Sequence, residues 1–64
     1  MSTIAQAQQL ETEFKAGNLS ADEYKELLED LRHTAAVNEA AGDLNKLTQI
    51  YEVLDGLKSA AGLI

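Results

Sequence analysis

The chain has 64 residues, with five Lys and Arg against eleven Asp and Glu, for a formal net charge of −6. That acidity repels phosphate backbones and argues against direct nucleic-acid binding. With no Cys, no Trp and one Phe, neither a disulfide nor a thiolate metal site can supplement the small core that a domain of this size builds, which points to self-association or docking on a partner.

Proline is absent and Ala, Leu, Glu, Gln and Lys dominate, all good helix formers. No alternating β-branched run exists, so the fold class is all-α, a single small domain. A first helix is predicted over about 3–16, capped by Ser2 or Thr3. Ala7, Leu10 and Phe14 form its thin apolar stripe, with Ile4 at the edge, and Glu11 and Lys15 are ordered for an i,i+4 ion pair.

Gly17 reads as the helix end, because glycine tolerates the left-handed conformation that a Cβ opposes. Ser20 then caps a second helix, and Glu23 completes a capping box. Leu19, just before the cap, is placed to staple onto Tyr24. The result is a capped helical hairpin.

Leu10, Phe14, Gly17, Leu19-Ser20, Glu23-Tyr24 and Leu31 together resemble the short helical hairpin of the SHOCT (short C-terminal) domain family, over about a third of the chain. The family's Lys after the aromatic falls on Leu28 here, and the second Leu of its closing pair falls on Arg32. The resemblance implies a helical interaction or oligomerisation element of a bacterial or phage protein. It brings no catalytic residues.

The second helix is predicted over about 21–40, with Tyr24, Leu27, Leu28, Leu31 and Ala35 on one apolar face. Asp22, Glu26, Glu29 and His33 fall on the opposite face. A solvated surface explains those acids; Asp22, Glu26 and Glu29 also form a candidate contact face for a basic partner. Asp30 and His33 have the acid-x-x-His spacing of di-iron bundles, but His33 should point to solvent, so no metal site is expected. Tyr24 and Tyr51 read as core-edge residues with wet hydroxyls.

Gly42 and Asp43 mark a second break, since the hydrophobic register changes there, and Asp43 can cap a third helix over about 44–61. Leu47, Ile50, Leu54, Leu57, Ala61 and Ile64 recur at alternating three- and four-residue spacing. Leu44, Tyr51 and Val53 widen the stripe beyond what one partner helix covers. Helix three is therefore expected to pack on more than helix two, and Leu47, Ile50, Tyr51, Val53, Leu54, Leu57, Ala61 and Ile64 form the candidate interface of an oligomer or partner complex.

No basic segment followed by an apolar core opens the chain, so no signal peptide is expected. The 44–64 stretch carries Lys46, Glu52, Asp55 and Lys58, so no membrane span is expected either. No phosphate loop, nucleophile elbow or converging Ser/His/Asp set is present. The expectation is a non-enzymatic assembly or adaptor protein without cofactors, a homo-oligomer or a subunit of a larger assembly, cytoplasmic or virion-associated, of phage or bacterial type. The alternative is a small acidic inhibitor docking on a host enzyme through the negative face of the second helix.

Overall fold

In the computed structural model, which describes residues 2–62, two helices form a hairpin and a third packs against both of them. Helix α1 spans Thr3–Lys15. Its cap is Ser2, whose Oγ accepts the Ala5 N–H at 3.2 Å. The Glu11–Lys15 pair forms at 3.6 Å. At its end Gly17 takes φ +82°. The Asn18 N–H donates to the Glu13 carbonyl and the Gly17 N–H to the Phe14 carbonyl. This is a Schellman closure, and it satisfies carbonyls that the last helical turn leaves without partners.

Helix α2 spans Ala21–Thr34. Both halves of its capping box are present: the Glu23 N–H donates to Ser20 Oγ at 3.1 Å, and the Ser20 N–H donates to Glu23 Oε1 at 3.0 Å. The Ser20 backbone donor, with the Ser20 hydroxyl adding, holds the Glu23 carboxyl below its ordinary value of 4.5. Helix α3 spans Leu44–Ala60. Gly42 at φ +78° turns the chain, and Asp43 Oδ1 accepts the Lys46 N–H at 3.0 Å. The break before the third helix is therefore real.

The second helix does not stay α-helical to residue 40. Ala35–Glu39 forms one wide π turn, closed by the Ala40 N–H on the Ala35 carbonyl at 2.8 Å. The reason lies in two small residues. In an α-helix, positions five apart face directions about 140° apart. The wider turn brings Ala35 and Ala40 to the same side, and both are buried. The π turn also carries Glu39, whose Oε1 accepts the Thr3 N–H at 3.0 Å. Glu39 thus supplies a partner for one of the free donors in the first turn of α1.

Tyr24 and Leu28 of α2 join Ile50 and Leu54 of α3 as the large buried side chains. Tyr24 is no edge residue: it is 1% exposed, with its ring stacked on Phe14 at 4.5 Å between centroids. Burial pushes its phenol up from 10.0, and the nearby Glu11 carboxylate adds to the shift. Leu27 departs from its predicted face and remains 36% exposed. Leu44, expected to widen the third stripe, is 76% exposed at the start of α3.

Stability should depend visibly on the hairpin turn. Ser20→Ala should cost about 1 kcal/mol. Gly17→Val should cost more through backbone strain alone, since a Cβ there meets nothing within 4 Å. Folding lowers the Glu23 pKa, so the contribution of its charge is complete above the unfolded carboxylate range and is lost as pH falls through the lower folded value. Urea melts across acidic pH should show that decline, and Glu23→Gln should flatten part of it. Variants that melt with the wild type would misplace the hairpin boundary.

Candidate functional site

The α3 stripe has its partners within the chain. Ile50 and Leu54 are buried, and Leu47, Leu57 and Ala61 pack half-buried on the same core. Val53 is half-buried. Tyr51 lies under the Arg32 guanidinium, 3.9 Å from its ring centroid, while Arg32 also donates to Asp55 at 2.7 Å. Ile64 lies outside the described residues. The stripe is as wide as its spacing requires, but α1 is the additional wall, so its centre is not an exposed contact surface. Lys58 extends the stripe by a further four residues from Leu54. Its stem is buried, and its ammonium reaches Glu29 Oε1 at 3.7 Å.

That ion pair divides the candidate acidic face. Asp22, Glu26 and Glu29 are all exposed, and Glu29 also reaches Lys58 of α3. His33 is exposed, and among the described residues no group of three His, Cys, Asp or Glu converges to hold a metal.

The open surface is on the other flank of the hairpin. A groove of about 370 Å³ runs between α1 and α2, lined by Gln6, Gln9, Leu10, Glu13, Leu27, Asp30, Leu31 and Thr34. No α3 residue lines it. Leu10, Leu27 and Leu31 supply its apolar surface. A smaller depression, lined by Glu23, Glu26, Leu27 and Asp30, adjoins it through Leu27 and Asp30. Four carboxylates therefore surround Leu27, and no Lys or Arg lines either depression.

Three of the five cations are engaged elsewhere, Lys15 with Glu11, Arg32 with Asp55 and Lys58 with Glu29, while Lys25 and Lys46 are exposed and form no ion pair among the described residues. Glu13 accepts from the Asn18 amide and Glu23 serves the capping box. Glu26 and Asp30 have no hydrogen-bond or ion-pair partner among the described residues. Chemically, the site offers an apolar floor with a negative rim.

Reading the apolar residues of α2 as one face hid this groove. Glu23, Leu27, Asp30 and Thr34 recur at i, i+4, i+7 and i+11, a ridge of its own. Gln6, Leu10 and Glu13 repeat that spacing on α1. No helix among the described residues is long and apolar enough to cross a membrane. Compared with protein-family models, curated proteins and solved structures, the chain finds no match.

Two adjacent leucines separate groove from core. Leu28→Ala should cost about 2–5 kcal/mol, because it empties a fully buried site. Leu27→Ser should cost under about 1 kcal/mol, because the side chain is already partly in water. Chemical melts of both variants check this; equal losses would mean that the groove face is structural.

Proposed function

We propose that the chain is a non-enzymatic helical adaptor, a subunit of a larger protein assembly that packs a partner helix into the α1–α2 groove. The observation that carries this reading is an apolar floor left open on one flank of a hairpin whose other flank is closed by α3. Leu27 is the anchor position, being large, apolar and accessible. The likeness of the hairpin to the SHOCT family supports an interaction element of a bacterial or phage protein, in the cytoplasm or in a virion. Ile50 and Leu54 of the α3 stripe are covered within the chain, so this reading places the partner in the groove.

A second reading has its own observation. Asp22 and Glu26 stand exposed on the outer side of α2, and that charge would suit an inhibitor docking on a basic enzyme surface.

Affinity capture from the native source, with sedimentation of the isolated chain, tests both. A partner held in fixed stoichiometry, lost with Leu27→Ser but only weakened by Asp22→Asn with Glu26→Gln, is expected of the adaptor. A partner indifferent to Leu27→Ser and lost with the two charge changes would assign the inhibitor instead. A mass that grows with the concentration of the isolated chain, reversed by Leu27→Ser, would make the assembly a homo-oligomer.

A further inference from the structure

Resting on that adaptor reading, we infer that the occupant of the groove is a cationic amphipathic helix from a different protein. It presents apolar anchors about one turn apart, with Lys or Arg on both sides of them. Shape is the first support. The groove-lining stretches, residues 6–13 and 27–34, each run two helical turns, about 10 Å. That length accepts two successive anchors of a helix over Leu10, Leu27 and Leu31, the helix-in-groove mode of recognition.

Charge is the second support. Glu13, Glu23, Glu26 and Asp30 border the groove and the depression adjoining it without a Lys or Arg among them. Glu26 and Asp30 have no partner among the described residues, so cations from outside would meet available carboxylates. A second copy is the poorer occupant. It carries a net charge of −6, and the apolar centre of its α3 is buried in its own core.

The third support comes from the opposite flank, where the hairpin already holds a helix of this design. Helix α3 places Ile50 and Leu54 in the core and then, four residues on, Lys58 against Glu29 of α2. An apolar pair followed by a cation on an α2 carboxylate is one part of how this chain seats its own third helix, beside the Arg32–Asp55 pair of opposite polarity at 2.7 Å. The open groove presents the same kind of surface a second time.

Two stapled helical peptides test the inference, with identical leucine anchors and either Lys/Arg or Gln at the flanking positions. Each is titrated into the isotope-labelled full chain, following amide shifts by NMR. The cationic peptide is expected to shift Leu10, Leu27 and Leu31 and to bind about tenfold tighter than the neutral one, the sum of several exposed charge pairs. Added salt should shrink that advantage, as should Glu26→Gln with Asp30→Asn, two changes at groups without intramolecular partners.

If both peptides occupy the groove with equal, salt-independent affinity, the cationic preference is overturned and the adaptor reading stands. If neither shifts the groove amides, or both bind unchanged after Leu27→Ser in a variant that melts like wild type, the adaptor reading falls with it. A dimer of the isolated chain with Leu27 at its interface would assign the groove to a second copy and overturn the inference.

Discussion

A two-helix hairpin has two long flanks, and this chain has one further helix with which to cover them. The Cα envelope of the described residues measures 35 × 22 × 14 Å. Its thinnest dimension admits two layers of helix at the 8–10 Å spacing typical of packed helices, but not a third. Helix α3 closes one flank with Ile50, Leu54 and the stem of Lys58. The other flank keeps Leu10, Leu27 and Leu31 beside water. The core and the groove are therefore two results of one shortage of apolar surface.

A core this thin makes helix ends matter. Domains commonly hold 5–15 kcal/mol in total, and a good cap is worth about 1. Here Ser2, Ser20 and Asp43 each accept a free amide at a helix start. Glu39 adds a long-range closure by reaching from the end of the second helical stretch to Thr3. Phe14 on Tyr24 ties the same two helices near their connection. The hairpin is thus fastened at both ends, which keeps the groove between them a fixed surface.

The hairpin boundaries were legible because their causes are local. Gly17, Ser20, Glu23 and Asp43 act on amides within a few residues, and each does what its chemistry predicts. The stripe of α3 was legible in its width, while the identity of its second wall was not, because helical spacing says how much surface is buried and not by which chain. Lys58 was hidden because charge masks a long apolar stem. Leu27 and Leu28 are neighbours of equal hydrophobicity, and only the placement of α3 decides which is buried.

The π turn makes residue number itself a structural variable. Between Thr34 and Gly42 the backbone accommodates its length by widening one turn, and that widening sets both Ala40 and the departure of the chain towards α3. Removing one residue from within that turn would leave Ala35 and Ala40 four positions apart, about 40° apart on a regular α-helix and so still on one side. Ala40 would keep its side of the helix, because the wide turn absorbs one extra residue between two buried alanines. Val37, Asn38 and Ala41 are exposed, and single replacements at those positions would be mild. A one-residue insertion would instead turn everything after it by about 100°, so shortening and lengthening the chain part company over these few residues.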